Sequence, residues 1–262
     1  WPDLYVANDF SKPDQLYRNL GDGTFRDVLE EVVPRTPFYS MGADLGDVNG
    51  DGRIDFFVAD MAPTSHEKDL RGMAISRARE MGSRITELPP QRMRNALYLN
   101  RGVLRMQEAA LLAGIARTDW TWSVRFEDFD NDGWSDLHVT NGMVREANNS
   151  DLLSRMMRAI SESQRVGVMK RSPRLEESNL AFRNLAGEGF GSVTEEWGLG
   201  EVGVSFGMST GDFDNDGDMD IVYLNHDGGL SVYRNEVAKQ RRIQVRLRGT
   251  RSNHYGVGAV VR

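Results

Sequence analysis

An all-β fold of radially repeated four-stranded units, a β-propeller, is what this sequence predicts, and three recurrences carry the prediction. A nonapeptide of the form D-x-[DN]-x-D-G-x-x-D occurs as "DVNGDGRID" from Asp47, "DFDNDGWSD" from Asp128 and "DFDNDGDMD" from Asp212. Each runs into an apolar strand ("DFFVAD", "DLHVTN", "DIVYLN"), and a second strand follows later as "NALYLN", "NLAFRN" and "LSVYRN". A further strand precedes each loop: "FYSMGADL", "WTWSVRF" and "GVSFGMST". The first two sets read as alternating, half-buried strands.

At the N-terminal end, "WPDLYVANDF" and "DQLYRN" fit the same frame. Trp1 falls opposite Trp134 and Asp3 opposite Asp136, so the sequence opens inside a fourth, truncated copy of the loop. "NLGDGTFRDV" and "NLAGEGFGSV" add a hairpin and an outer strand, with Gly supplying the positive φ of the turn. About four blades are expected, two of them incomplete. Asp3 to Asp55 spans 52 residues, near the roughly 40 to 50 of a single blade. The next spacings, 81 and 84, leave room for an insertion between the second and third strands of two blades.

Both insertions, about 61–94 and 144–178, read as helical. "PTSHEKDLRGMAISRAREMG" offers a Thr64/Glu67 capping box, apolar Leu70, Ala74, Ala78 and Met81, and Gly82 as a stop. After Ser150, the residues Leu152, Leu153, Met156, Met157 and Ile160 form an apolar stripe expected to pack on the scaffold. Alternating strand direction puts the aspartate loops on one face and the insertions on the other. That second face is where a ligand is expected.

The loops carry the chemistry. Side-chain oxygens at positions 1, 3, 5 and 9 come from Asp47, Asn49, Asp51 and Asp55, from Asp128, Asp130, Asp132 and Asp136, and from Asp212, Asp214, Asp216 and Asp220. Position 7 (Arg53, Trp134, Asp218) is expected to add a backbone carbonyl, and Gly52, Gly133 and Gly217 permit the sharp turn. Such an oxygen cage suits Ca²⁺ better than Mg²⁺, which demands a tighter octahedron. Three sites are expected, with a truncated fourth at Asp3. Position 12 is Val58, Val139 and Tyr223, not the bidentate Glu of an EF-hand. The competing reading is a set of Asx-turns that bind no metal.

Composition agrees with a globular chain: 262 residues, 39% hydrophobic and 27% charged. No apolar run approaches the roughly 18 residues of a membrane span. Without cysteine there is no disulfide, thiolate metal site or cysteine nucleophile. The net charge of −7 would become −1 with three divalent ions bound, so the acidity reads as ligand charge. Trp1 opens the sequence without a basic, apolar, cleavable leader, so a mature or excised piece is expected.

The triplicate motif closely resembles the FG-GAP and VCBS-type calcium-binding propeller repeats over residues 1–236, and "RRIQVRLRGTRSNHYGVGAVVR" resembles the opening of an ASPIC/UnbV module over 237–262. The resemblance implies a seven-bladed propeller, a secreted, periplasmic or cell-surface location, calcium binding and a role in adhesion or recognition. The expected function is a non-catalytic scaffold for a protein or carbohydrate partner, an anionic one given the Arg-rich insertions, with no role for nucleic acid. The alternative is a calcium-dependent, polysaccharide-lyase-like enzyme.

Two other motifs are discounted. "GMSTG" from Gly207 lies on a strand, not on the strand-to-helix elbow a serine nucleophile needs, and "GLGEVG" from Gly198 leads into a strand. His66, His138, His226 and His254 lack paired zinc spacing. Tyr39, Trp120 and Trp122 are expected to be buried between blades.

Overall fold

The computed structural model describes residues 1–9, 12–72, 89–146, 148–237, 245–250, 253–256 and 259. Strands β1 (Leu4–Val6), β2 (Gln15–Asn19) and β3 (Phe25–Asp27) form a first antiparallel sheet. The short helix α1 (Leu29–Val32) and β4 (Thr36–Pro37) lead to a second sheet. Its strands are β5 (Ala43–Gly46) and β6 (Asp55–Val58), with β7 (Met61–Ala62), α2 (His66–Gly72) and β8 (Gln91–Arg92) intervening before β9 (Ala96–Leu99) and β10 (Gln107–Glu108). The order is β10-β9-β6-β5.

The third sheet repeats this plan. Its strands are β11 (Asp119–Glu127) and β12 (Asp136–Asn141), with the helices α3 (Ser150–Arg158) and α4 (Glu162–Lys170) and the short β13 (Glu177–Ser178) intervening before β14 (Leu180–Asn184) and β15 (Phe190–Ser192). β16 (Val202–Gly203) pairs with β13, and β17 (Ser205–Gly211), β18 (Asp220–Asn225) and β19 (Gly229–Tyr233) make the fourth sheet. The helices interrupt the second and third sheets between their second and third long strands, as the spacings predict. Three short pairings were not foreseen: β7 adds to β11 of the third sheet, joining neighbours at the insertion end, β13 pairs with β16, and β4 pairs with β8 in parallel.

Apolar clusters fill the three gaps between consecutive sheets. Phe56, Val58 and Tyr98 meet Val28 and Val33 with half-buried Tyr5 and Leu16; Val48, Phe57 and Leu97 meet Val124, Phe126 and Leu137; Phe129 and Ala181 meet Met208, Ile221 and Tyr223. Sandwiching corrects the alternating reading of the middle strands. β6 and β12 are buried along their whole length because a sheet lies on each side, whereas β18 keeps exposed positions. His138, within β12, is fully buried for the same reason. A fourth cluster at the insertion end holds Phe38, Tyr39, Met61 and Trp120 with half-buried Trp122.

The insertions differ from expectation in their caps and packing. Ser65 Oγ, not Thr64, accepts the Lys68 N–H at the start of α2 (3.2 Å), because Thr64 is held by Asp119, and no Thr64/Glu67 capping box forms. Ala74, Arg77, Ala78, Arg79, Met81 and Gly82 lie outside the described residues. α3 is capped by Asn149, whose Oδ1 accepts from Asp151 N (2.9 Å) and Leu152 N (3.2 Å). Its apolar stripe is not packed away: Leu152, Leu153 and Met156 are half-buried, but Met157 is 80% and Ile160 94% exposed. In the C-terminal segment the described residues after Val237 carry no strand, and 238–244, 251–252, 257–258 and 260–262 lie outside the described residues.

Candidate functional site

The three aspartate loops adopt one backbone conformation. Position 4 (Gly50, Asn131, Asn215) and position 6 (Gly52, Gly133, Gly217) all have positive φ, between 57° and 94°. Gly takes that region most readily and Asn next, so the turn expected at position 6 is joined by a second one at position 4 that the sequence reading did not name. The first Asp then folds over the turn. Asp128 accepts from Asp132 N (3.0 Å) and Gly133 N (2.9 Å), Asp47 from Asp51 N (3.1 Å) and Gly52 N (2.8 Å), and Asp212 from Gly217 N (3.0 Å).

Position 9 plays a part the sequence reading missed. Asp55, Asp136 and Asp220 are buried, and each uses both carboxylate oxygens on backbone amides. One oxygen accepts from position 2 of its own loop (Val48, Phe129, Phe213). The other accepts from an Asn that ends the third strand: Asn100 at 2.7 Å, Asn184 at 2.8 Å and Asn235 at 2.8 Å. Asp3 accepts from Asn19 N at 2.8 Å, which places it in the same frame. Two of these Asn side chains cross to the preceding sheet, Asn184 Nδ2 donating to the Val48 carbonyl (2.8 Å) and Asn235 Nδ2 to the Phe129 carbonyl (2.6 Å). The repeated final Asn of "LYRN", "LYLN", "AFRN" and "VYRN" was the signal for this clasp.

The structure gathers part of each predicted ligand set. Carboxylate oxygens of Asp128, Asp130 and Asp136 lie within 4.8 Å of one another, as do those of Asp212, Asp214 and Asp216. Asp132 and Asp220 fall outside those groups; the side chain of Asp218, whose expected contribution is its carbonyl, accepts from Asn131 Nδ2 at 2.7 Å and links the second and third loops. The first loop, with Asn49 at position 3, does not bring three carboxylates together in this way. Asp130 Oδ1 and Asp212 Oδ1 are buried without a hydrogen-bond partner. A buried carboxylate oxygen with no donor is costly unless a cation or proton meets it, so the second and third loops fit a hard cation. Burial, helped by the charges of Asp130 and Asp132, pushes Asp136 up to about 7.

Each loop also has an arginine. Arg53 pairs with Asp51 of its own loop (3.3 Å). Arg183, just before Asn184, pairs with Asp130 (2.7 Å), and Arg234, just before Asn235, lies 3.9 Å from Asp214. The matching residue before Asn100 is Leu99, opposite the neutral Asn49. Position 3 and this site are therefore matched in charge.

On the opposite face the two insertions meet. Arg71 of α2 donates to Glu146 (2.5 Å), and Ser150 Oγ, at the start of α3, donates to the Arg71 carbonyl (2.9 Å). Between them a pocket is lined by Met61, Lys68, Asp119, Trp120, Leu175 and Glu177, among others. Asp119 has φ +66°, a left-handed conformation that aims its carboxylate at Thr64 and at Lys68 Nζ (2.6 Å). Glu177 lies 3.3 Å from the same ammonium and accepts the Trp120 N–H (3.1 Å). Burial opposes the charge on Lys68, but the bonds and charges of Asp119 and Glu177 raise its pKa overall. Burial, then the charge of Asp119, raises that of Glu177.

The histidines do not gather. His66 starts α2, His138 is in the core between the third and fourth sheets, His226 follows β18, and none of the four lines this pocket. Ser209 sits within β17, and Gly198–Gly203 runs through a turn into β16.

A search of the curated proteins finds no match to this chain. Comparison with protein-family models finds an FG-GAP-like repeat over residues 1–58, from the truncated loop at Asp3 through the first complete loop to the end of β6, and such repeats fit a β-propeller with a recognition or adhesion role.

Proposed function

We propose that this chain is part of a secreted or cell-surface β-propeller whose aspartate loops hold Ca²⁺ on one face and whose insertions recognise a protein or carbohydrate partner on the other, without catalysis. Asp128, Asp130 and Asp136, and Asp212, Asp214 and Asp216, would hold cations in the second and third loops; Asp47, Asn49, Asp51 and Asp55 make the first a weaker candidate. A bound cation would cancel the repulsion among these carboxylates and fix each loop to its Asp–Asn clasp. The seven-blade count is part of the same proposal.

The observation that carries the recognition role is the joining of two insertions from neighbouring sheets into one cap, through Arg71, Glu146 and Ser150, over a pocket walled by Trp120. A cap shared by two repeats has no role within either repeat alone. Among the described residues lining that pocket there is no His or Tyr, and Lys68 is engaged by Asp119 and Glu177, which favours binding over lyase chemistry, since the latter wants a free base beside the substrate.

Two measurements test the reading. Calcium titration calorimetry should give saturable binding, lost when Asp128 and Asp212 are changed to Ala. A glycan and matrix-protein panel should give a partner whose capture falls with Trp120→Ala, while polysaccharide incubated with the protein stays uncleaved. Absence of heat with Ca²⁺, or release of unsaturated oligosaccharides, would replace the proposal.

A further inference from the structure

The helical hairpin of α3 and α4 is set apart from the rest of the chain by charge and exposure. Residues 150–171 hold five basic side chains (Arg155, Arg158, Arg165, Lys170 and Arg171) against two acidic ones, a net of +3 in a chain of −7. All five basic residues are exposed. At the turn between the helices Met157 is 80% and Ile160 94% exposed, and Val166 and Met169 follow at 43% and 45%.

The hairpin is nevertheless built. Asn149 caps α3, and Ser161 Oγ accepts the Gln164 N–H (3.3 Å) at the start of α4. Ser150 ties α3 to the Leu70 and Arg71 carbonyls, and Arg145 donates to the Lys170 carbonyl at the far end of α4. Among the described residues, neither the apolar tip nor the side chains of the basic collar have an intramolecular partner.

We infer that this hairpin docks the protein on an anionic bilayer surface, with Met157 and Ile160 entering the headgroup region and Arg155, Arg158 and Arg165 meeting the lipid phosphates. The inference rests on the reading of the insertion face as the recognition face, and it names what the hairpin meets there. A bilayer fits better than an acidic protein because the most exposed apolar residues form a projecting tip, which can enter a fluid interface but offers no walls to grip a peptide. Charge complementarity selects anionic lipid, since each Lys or Arg near such a surface is favourable and the effect fades within a Debye length of about 8 Å at physiological salt. The acidic remainder of the chain is repelled by the same surface, which turns the hairpin toward it.

The test is co-sedimentation of the chain with vesicles of phosphatidylglycerol in phosphatidylcholine and with phosphatidylcholine alone, in EDTA so that calcium bridging contributes nothing. Binding to the anionic vesicles only is expected, weakening with salt. Ile160→Asp with Met157→Asp, and separately Arg155→Glu with Arg158→Glu, should each reduce it by at least about tenfold, with thermal melting unchanged because these side chains are exposed. Binding that survives both double substitutions, or no vesicle binding at all, overturns the inference. If vesicles fail while a sulfated polysaccharide or poly-glutamate binds through the same residues, the bilayer is wrong and the recognition face stands. If those probes also fail, the inference alone is overturned, and the glycan and matrix-protein panel decides the reading of the face.

Discussion

The Asn184 backbone N–H donates to the Asp136 carboxylate at 2.8 Å, while the Asn184 side chain donates to the Ser135 carbonyl in the same sheet and to the Val48 carbonyl in the one before. One residue thus closes a loop upon its own sheet and fastens it to its neighbour. Its Oδ1 accepts the Gly187 N–H as well (2.8 Å), so every polar atom of this buried side chain is used.

Asn184→Ala should therefore cost about 2 to 4 kcal/mol, because buried carbonyls and an amide lose their partners together. Asn19→Ala, at the equivalent position in the first sheet, removes one exposed and one part-buried bond, neither to another sheet, and should cost about 1 kcal/mol. Urea unfolding of both variants checks the ratio. Equal losses would mean that the cross-sheet bond contributes nothing.

Under the proposed cation binding, charge matching at position 3 should alter the order of affinities among the loops. By ligand count alone the first loop, with Asn49, should be weakest. Arg183 offsets much of the extra charge of Asp130, however, whereas Arg234 stands farther from Asp214. The third loop should bind tightest. Arg183→Met should raise affinity at the second loop about fivefold, which is what roughly 1 kcal/mol between unit charges a few ångströms apart in water amounts to. Calorimetry at low salt would show it, and no change would mean that Arg183 swings clear when the cation arrives.

Chelation should lower the melting temperature, since each site adds about 2.7 kcal/mol at a hundredfold excess over its Kd. The effect depends on pH through Asp136, held up to about 7. A carboxyl raised above its unfolded value favours the fold while protonated, and that stability is lost as pH rises from about 4 through about 7. A cation must displace the same proton, so affinity at the second loop should fall up to about tenfold per pH unit below 7. EDTA should accordingly shift melting most above pH 7 and least near pH 5.

His138 works in the other direction. Burial lowers it to about 4, and Nδ1 lies 2.9 Å from the Leu180 carbonyl while Nε2 has no partner. Between about 6.5 and 4 the unfolded chain takes up a proton that the fold refuses, so stability present above 6.5 is lost as pH falls, on the order of 3 kcal/mol in all. His138→Asn should flatten the acid limb of a stability–pH curve taken with EDTA. An unchanged slope near pH 5 would mean that the imidazole gains solvent there.

Lys68→Ala leaves Asp119 and Glu177, both buried, without their shared cation; because Lys68 itself is partly exposed, the loss should be about 1 to 3 kcal/mol. The same logic forecasts that excising residues 64–92 would destabilise the third sheet as well as remove the insertion. Lys68→Arg should restore part of the loss, and a wild-type melting curve for Lys68→Ala would mean that the two acids are protonated.

The sequence alone determined the repeat frame, the all-β class, the loop turns and the place of the insertions. These depend on local chemistry: glycine or asparagine at positive φ, carboxylates at fixed spacing, and short apolar runs between them. Even Asp3 could be set in register from a truncated loop. Tertiary structure decided how each group is spent. Position 9 reads only as a ligand in one dimension, yet its two oxygens also accept from amides, one in its own loop and one from the Asn that ends the third strand. β6 and β12 look half-buried until a sheet covers each side. The end of the stripe at Met157 and Ile160 looks like core, yet both side chains are exposed in the fold. Ion pairs such as Lys68–Asp119 and Arg183–Asp130 join residues more than fifty positions apart. Burial and long-range pairing belong to the arrangement of sheets, and no local pattern encodes which partner a side chain will meet.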